Sequence, residues 1–549
     1  MKKRWYFWGF IIMILTLSLL CACDNTGESG STDNTDTTEE TTIATEETTS
    51  DSEGTTADTE ETTNETEETT VMQYIAPELP LPESNVSPED VVKAIDPNVT
   101  ASQFGYKTWQ VVLSDTTIAE VKDAFISAGY TEVAVPTVSG SDNVPVILGA
   151  GNLMITMRQE RSSVRIECDI CDPSTFALLF PNETTGTGEV IMAQIGVERN
   201  LERDNPMNGM CYIYKLSDGR AVILDGGHNS NSHNIYSALQ KMDIAKDKNG
   251  RYRIAAWILS HGHGDHYGAL ITFSNSEYSQ LCDVEHFVYS FPMNETILSS
   301  AACHVPSFVA WISQYFPNAK HVVPHAGLKY HFGNLTLDML YTPDMRSDID
   351  YENDTSLVFI ADCGGARVLH TGDAGDKVAK FILSACKADA LKAQILQITH
   401  HGLYTGANES HSWTYLKKLY NITQAEYAVL PMGTRSPVDS RNGRHTVIIA
   451  WASMGFQTSF LMDTRATSTN LVVYDQDSYD QFVSDVAAGK ANYETICGYN
   501  GKNIIYNPEA NLTTYIMSTE TENMATVFSL SQKGVAVVSN ELLSEWFGQ

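Results

Sequence analysis

A cluster of three histidines and one aspartate directly after an apolar run constrains this chain more than any other feature. Residues 254–259 are continuously apolar, which predicts a buried strand, and the segment 260–266 that follows reads Ser-His-Gly-His-Gly-Asp-His. The two glycines let His261 and His263 point one way and Asp265 and His266 another. Imidazole suits zinc, iron or manganese, and a carboxylate adds a hard oxygen ligand. The loop can therefore serve two adjacent metal ions.

Strand and helix patterns alternate on both sides of this loop. Strands are predicted at 190–197, 211–216 and 221–224, and the last two are joined by a Ser-Asp-Gly turn signal. The alternation continues to about residue 475. It predicts an α/β layered domain over roughly 189–475.

The loop matches HxHxDH, the signature of the metallo-β-lactamase fold, so the region 189–475 resembles that superfamily. Three further segments are similar to the family: Asp225-Gly-Gly, His370-Thr-Gly-Asp373 and His400-His401-Gly. The His-His-Gly segment most resembles the extracytoplasmic hydrolase domain of the competence protein ComEC, as does the surrounding of His445. The resemblance implies an αββα sandwich, an α/β fold.

The resemblance also implies metal ligands. Many family members supply a third histidine to the first site, but the corresponding loop here begins with Asn353, as ComEC-like loops tend to do. Water or Asn353 would then complete that site. The first site would comprise His261, His263 and Asp373, and the second Asp265, His266, Asp373 and His400.

The remaining site residues have implied supporting or catalytic roles. Asp373 would bridge the two metals, and Asp225 would orient the histidine loop. His401 would either replace His400 as ligand or support it, and the sequence leaves that choice open. His445 would contact the substrate or protonate a leaving group. The expected cofactor is one or two Zn²⁺ ions, with Mn²⁺ as an alternative.

The N-terminus predicts export and lipid anchoring. Three basic residues at 2–4 precede an apolar run at 5–20, the pattern of a secretory signal peptide. It ends in Leu-Cys-Ala-Cys23, which resembles the lipobox of bacterial lipoproteins. The resemblance implies a signal peptide at 1–23, lipidation of Cys23 and a location on the extracellular face of the cell membrane.

A long acidic tract follows the leader. Residues 24–71 contain 16 of the 68 acidic residues and neither Lys nor Arg. Too little apolar surface is present to offset chain entropy, so 24–90 is predicted to be a disordered Thr/Glu-rich tether and linker.

Two smaller modules are predicted around the metal domain. A small α/β module at 91–185 has a helix at 115–128 and a hairpin of strands at 153–157 and 164–170. A small α+β module at 476–549 has predicted strands that include 535–539 and a closing helix at 541–547.

The combined prediction is a membrane-tethered, metal-dependent hydrolase, foremost a phosphodiesterase. A metal ion lowers the pKa of its bound water toward ~7 and so provides hydroxide at neutral pH. Candidate substrates are nucleic acid or the teichoic acid and phosphocholine esters of the cell envelope. Alternatives are a β-lactamase or lactonase, and a non-catalytic surface binding protein. The net charge of −33 disfavours extended nucleic-acid binding.

Overall fold

The computed structural model describes residues 76–105, 108–195, 209–291, 305–345, 349, 352–402, 414–431, 459–462 and 524–542. All of them belong to one compact unit, Met72–Gln549. Among the helices in these ranges, none is both long and apolar enough to cross a bilayer. Cys23 and His445 lie outside the described residues, so their predicted roles remain predictions.

A six-stranded antiparallel sheet forms the N-terminal module, in the spatial order β1-β2-β6-β5-β4-β3. Its strands are β1 (Ser102–Gly105), β2 (Thr108–Ser114), β3 (Thr131–Glu132), β4 (Val146–Ala150), β5 (Leu153–Glu160) and β6 (Ser163–Ile170). The antiparallel pairing of β5 with β6 confirms the predicted hairpin.

The predicted helix of this module is present and is shorter at its start. It spans Ile118–Ser127, because Thr117 caps it: Thr117 Oγ1 accepts from Glu120 N, and the Glu120 carboxylate accepts from Thr117 N at 2.9 Å. It packs with the helix Pro88–Ile95 against one face of the sheet. This helix begins inside the stretch 24–90 that is predicted to be disordered, so the last residues of that prediction are wrong, because Val91 and Val92 anchor the helix in the core. A short helix, Pro173–Ala177, follows β6.

Two larger sheets form the metal domain. The first contains β7 (Val190–Ile195), β8 (Cys211–Lys215), β9 (Ala221–Asp225), β10 (Tyr252–Ile258), β11 (Cys282–Val284), β12 (His286–Val288) and β13 (Lys320–Val322). The second contains β14 (Lys329–Phe332), β15 (Leu335–Tyr341), β16 (Val358–Cys363), β17 (Ala366–His370), β18 (Ile395–Gln397), β19 (Tyr427–Leu430) and β20 (Ser459–Met462).

The inner faces of these sheets share one core. Val222 and Leu224 of β9 pack in the same cluster as Leu337 of β15 and Phe359 of β16. Their chain neighbours point outward to the helices, as the two-residue period of a strand requires. Burying each such side chain contributes about 1.5–3 kcal/mol. Because both faces of these strands are buried, their sequences are continuous apolar runs.

Helices cover the outer face of each sheet. Ser232–Lys241, Gly264–Asn275 and Val305–Tyr315 pack on the first sheet. Asp376–Ala385, Ala388–Leu391 and Thr414–Thr423 pack on the second. This helix–sheet–sheet–helix order confirms the predicted αββα sandwich.

The described part of the C-terminal segment is a hairpin, β21 (Met524–Ser531) and β22 (Gly534–Leu542). Antiparallel pairing of β21 with β7 adds it to the first sheet, which then has nine strands. This hairpin therefore extends the first sheet and covers the edge of β7 that would otherwise be open. Glu541 and Leu542 also continue β22 instead of starting the predicted helix.

The predicted site residues follow strands that end at neighbouring edges of the two sheets. β9, β10 and β12 are parallel, so the end of β9 at Asp225 lies beside the loop after β10. In the second sheet, Asp373 follows β17 and the turn Thr399–Gly402 follows the parallel strand β18. The turn Glu352–Thr355 precedes the antiparallel β16 and reaches the same edge.

Candidate metal centre

One carboxylate oxygen, Asp373 Oδ2, lies at the middle of the candidate site. The Nε2 atoms of His266, His401, His261 and His400 lie 3.2, 3.5, 3.6 and 3.9 Å from it. Asp373 itself is 1% exposed. Four imidazoles thus converge on one buried acid, the residue that the sequence predicts as the bridge.

The same side chains form two overlapping groups of potential ligands. His261, His266 and Asp373 form one, and Asp265, His266 and His401 the other. His401 Nε2 lies 3.2 Å from both Asp265 Oδ2 and His266 Nε2. Two imidazole nitrogens at this separation repel each other unless a proton or a cation lies between them. The geometry therefore favours a shared positive charge at this point.

His263 joins the centre from the more open side. Its Nδ1 atom lies 3.0 Å from His261 Nε2, and the two rings meet edge to face at 4.6 Å between centroids. The structure thus brings His261 and His263 together, as the spacing predicts.

Asp225 holds the histidine loop from behind, as predicted. Its carboxylate accepts hydrogen bonds from Ser260 N and Ser260 Oγ, both at 2.7 Å, and lies 2.8 Å from His266 Nδ1. Its backbone oxygen accepts from Trp257 Nε1. With Nδ1 of His266 donating to Asp225, Nε2 is the ring nitrogen that faces Asp373 and is left to bind a metal.

His401 is oriented in the same way by a backbone group. Its Nδ1 lies 2.8 Å from the carbonyl oxygen of Pro431, which directs Nε2 toward Asp265. Sequence reasoning missed Pro431, because no side-chain pattern identifies a carbonyl 30 residues away. It also missed the support that Ser260 gives to Asp225, although Ser260 lies within the motif.

Three site residues have left-handed backbone conformations. The φ angles are 57° at Asp225, 49° at His400 and 51° at His401. Such conformations cost of order 1–3 kcal/mol in non-glycine residues and persist where surrounding contacts impose them. The hydrogen bond from His400 N to the carbonyl oxygen of Gly372 is one of these contacts. Gly372 is also left-handed, and a Cβ there would lie 2.9 Å from Ser356 Cβ.

Charges at the centre oppose the effect of burial. Burial lowers the pKa of His261 well below its usual value, and His266 adds to this. Burial acts likewise on His266 and His401, but Asp373 outweighs it, raising the pKa of His401 to about 10 and holding that of His266 well above its usual range. Burial alone would raise the pKa of Asp373, yet His266 and His401 hold it well below its usual range.

This donor set fits divalent metal ions. The second oxygen of Asp373, Oδ1, is buried and has no hydrogen-bond partner among the described residues. Neutral imidazoles and carboxylates are ligands of Zn²⁺ and Mn²⁺. A bound cation would replace the protons that the imidazoles hold in its absence. One or two such ions can be held by these residues.

The positions of His400 and His401 differ from the assignment made from the sequence, which puts His400 first as ligand of the second site. His401 lies with Asp265 and His266, whereas His400 is 3.9 Å from Asp373 and its Nε2 lies 3.0 Å from Asn353 Nδ2. The geometry thus favours His401, instead of His400, as the ligand on the Asp265 side. The reason is the turn: the two left-handed residues rotate the rings apart, which residue order does not reveal.

Taken together, these features define an αββα protein with a buried candidate His/Asp metal centre at the neighbouring edges of its two sheets. Residues 204–277, which include the histidine loop, match the family model of the metallo-beta-lactamase superfamily. This part of the chain carries a metallo-beta-lactamase superfamily domain.

Solved structures with similarity to the chain have low identity. The metallo-beta-lactamase fold protein YhfI from Bacillus subtilis is 13% identical, with a TM-score of 0.30, and the match covers 50% of this chain and 96% of that one. A diphosphatase of the PhnP family is 12% identical (TM-score 0.26; 44% and 85% covered). Zn²⁺-bound PqqB from Methylobacterium extorquens is 12% identical (TM-score 0.27; 38% and 72% covered). No curated protein matches the chain. These likenesses carry no argument about activity.

Proposed function

We propose that this protein is a metal-dependent phosphodiesterase with a ComEC-like centre, tethered to the outer face of the cell membrane. The observation that carries the proposal is the pair of ligand groups that share His266 around the buried oxygen of Asp373. A centre that had lost its function would be expected to lose such acids and histidines. The near-complete set supports an enzyme over a non-catalytic binding protein.

The residues of the chain have separate roles in the proposed reaction. His261, His263, His266, His401, Asp265 and Asp373 would hold the metal. When bound, the metal supplies Lewis acidity and lowers the pKa of water toward ~7. Asp225 keeps His266 in position by accepting its Nδ1–H.

Exposure indicates where substrate would enter. The Asp265 side chain is 26% exposed and that of His400 is 14% exposed, whereas Asp373 is 1% exposed. A substrate ester would therefore approach from the side of Asp265 and His400. The ring of His400 lies on that side and is held by the hydrogen bond that Asn353 Nδ2 donates to its Nε2. His445 is proposed to contact the substrate or to protonate the leaving group.

Charge and the leader narrow the substrate class. The formal charge of −33 disfavours a long nucleic-acid duplex, whose binding depends on Lys and Arg. A lipid anchor at Cys23, followed by the acidic tether, would hold the enzyme near envelope polymers. Teichoic acid and phosphocholine esters are thus preferred over nucleic acid.

The test is hydrolysis by the purified full chain loaded with Zn²⁺ or Mn²⁺. Bis-p-nitrophenyl phosphate and p-nitrophenyl phosphorylcholine are the diester probes, with nitrocefin and a lactone in parallel. We expect diester turnover that Asp265→Ala lowers at least ~100-fold. Asp389→Ala is the matched control, since the Asp389 side chain is 89% exposed.

Two results would contradict the proposal. One is the lack of turnover of both diesters by metal-loaded protein. The other is equal turnover by wild type and Asp265→Ala. Turnover of nitrocefin or lactone alone would replace the phosphodiesterase with the β-lactamase or lactonase alternative.

A further inference from the structure

A second group of buried titratable residues lies between the N-terminal module and the metal domain. Glu167 and Asp169 belong to β6, His325 lies just before β14, and Asp344 lies in the turn Pro343–Met345. They are 0, 4, 1 and 2% exposed, respectively. Nothing in the proposed reaction uses these residues.

The His325 ring is oriented as in a metal ligand. Its Nε2 lies 2.5 Å from Asp169 Oδ2, and Thr108 Oγ1 donates to the other oxygen of Asp169 at 2.5 Å. Asp169 therefore accepts a hydrogen bond from Nε2, and Nδ1 is the nitrogen that faces the other two acids. A carboxylate that fixes the outer nitrogen of a histidine in this way is the usual support of a metal-bound imidazole.

The Nδ1 atom faces two further carboxylates without a hydrogen bond. It lies 3.1 Å from Glu167 Oε2 and 3.5 Å from Asp344 Oδ2. Nδ1, both oxygens of Glu167 and both oxygens of Asp344 are buried and have no hydrogen-bond partner among the described residues. Two converging carboxylates whose oxygens make no hydrogen bond are costly in a protein interior.

The nearby arginine does not satisfy these acceptors. Arg158 is buried, and it donates from Nη2 to the Ala326 carbonyl at 2.7 Å and from Nε to Met345 Sδ at 3.2 Å. Its Nη1 makes no hydrogen bond to either carboxylate. Arg158 therefore leaves the oxygens of Glu167 and Asp344 without a hydrogen bond from its guanidinium group.

We propose that Glu167, Asp344 and Nδ1 of His325 bind a divalent cation, Zn²⁺ or Mn²⁺, at a structural site separate from the centre around Asp373. These three residues offer ligand atoms within 4.8 Å of one another. One imidazole nitrogen with carboxylate oxygens suits both ions. Because Glu167 comes from the N-terminal sheet and the other two from the metal domain, the cation links the two.

The charge state of Glu167 agrees with this assignment. Burial, together with the charge of Asp344, raises the pKa of Glu167 to about 7. Burial opposes a charged His325, but Asp169 outweighs burial and holds the pKa of His325 well above its usual range. A bound cation would displace the proton that the ring holds without it.

The test is metal analysis and anomalous diffraction of the full chain, saturated with Zn²⁺ alone or Mn²⁺ alone. We expect an anomalous peak between Glu167, His325 and Asp344, distinct from any peak near Asp373. Glu167→Gln preserves shape but removes a charge, so it should lose this peak and about one metal ion per chain. Ions near Asp373 should remain.

Two variants serve as controls. Glu132→Gln, on the same module with a side chain 50% exposed, should leave the metal count unchanged. His263→Ala alters the other centre and should leave the new peak in place. If Glu167→Gln does not fold, Asp344→Asn and the wild-type anomalous map decide instead.

The proposal is overturned if wild type has no peak at this position with either ion and the Glu167 and Asp344 carboxylates share a proton there. It is also overturned if Glu167→Gln keeps the peak and the full metal count.

Discussion

Asp373 connects both halves of the metal centre through a single oxygen. Its Oδ2 lies within 4 Å of four imidazole nitrogens, and His266 belongs to both potential ligand groups. The supports behind these ligands are Asp225 for His266 and the Pro431 carbonyl for His401. Each support fixes Nδ1 so that Nε2 faces inward. At the adjacent pair His400 and His401, the Pro431 carbonyl therefore favours His401 as the metal ligand.

His401→Ala should impair the centre more than His400→Ala. His401 Nε2 is 3.2 Å from both Asp265 and His266, whereas His400 is 3.9 Å from Asp373. We expect His401→Ala to reduce the bound metal and to lower turnover at least ~100-fold. We expect His400→Ala to lower turnover ~10-fold with its metal content retained. Elemental analysis and diester kinetics measure both. Equal metal loss in the two variants would refute the assignment.

His331 should make stability depend on pH. Burial lowers the pKa of His331 to about 4, from about 6.5 in an unfolded chain. The folded state favours the neutral ring, so this contribution is complete above pH 6.5 and is lost as the pH falls toward 4. The loss amounts to at most about 3 kcal/mol.

The measurement is urea unfolding of wild type and His331→Gln at pH 7 and pH 4.5. We expect the free energy of unfolding to fall less in the variant. Thr336→Val is the control, because it removes the hydrogen-bond partner of His331 Nδ1 and keeps the titrating ring. An identical pH dependence in wild type and His331→Gln would disprove this role.

Among the elements, the hairpin of β21 and β22 departs most from the sequence-based description. It pairs with β7 although about 330 residues separate them in the chain. Phe528 and Leu530 of β21 are fully buried in the core shared by the two sheets. A segment that appears to be an appendage in the sequence thus supplies part of the central core.

Phe528→Ala should destabilise the metal domain by about 3–5 kcal/mol, because it leaves a cavity in this core. Val538→Ala is the matched control: the side chain lies on the partner strand and is 59% exposed, so its loss should change stability by no more than about 0.5 kcal/mol. Chemical denaturation of the full chain measures both. Similar stability of the two variants would show that the hairpin does not contribute to the core.

At the level of the whole protein, the charge is unevenly distributed. Residues 24–71 hold 16 acids without a compensating base, so about half of the net charge of −33 belongs to the tether. The total charge therefore says little about the metal centre. There, bound cations would set the local field.

Cys23→Ser tests the proposed anchor. Without the thiol there is no lipid attachment, and one acyl chain or more is what holds such a protein at a membrane. We expect wild type in the membrane fraction with incorporated fatty acid, and Cys23→Ser to lose the label and leave that fraction. Cys21→Ser is the control and should behave as wild type. Continued lipid labelling of Cys23→Ser would rule out this site.

The amino-acid sequence alone predicts what depends on neighbours along the chain. The apolar run before His261 predicts a strand, the spacing within 261–266 predicts a metal loop, and the capped helix and hairpin of the N-terminal module follow local patterns. These signals are short-range, so they survive without knowledge of the fold. They predict an α/β layered domain and a metal loop, whereas the αββα sandwich and the roles of Asp373, His400 and His401 follow from the resemblance to the metallo-β-lactamase fold.

Long-range contacts account for the features that the sequence alone does not predict. The orientation of His401 depends on Pro431, the addition of β21 to the sheet depends on β7, and the cluster around His325 draws on residues from two modules. Such contacts form between segments that are distant in sequence, and their geometry arises from packing. Local pattern and composition carry no signal for them, so they become visible when the folded chain brings the segments together.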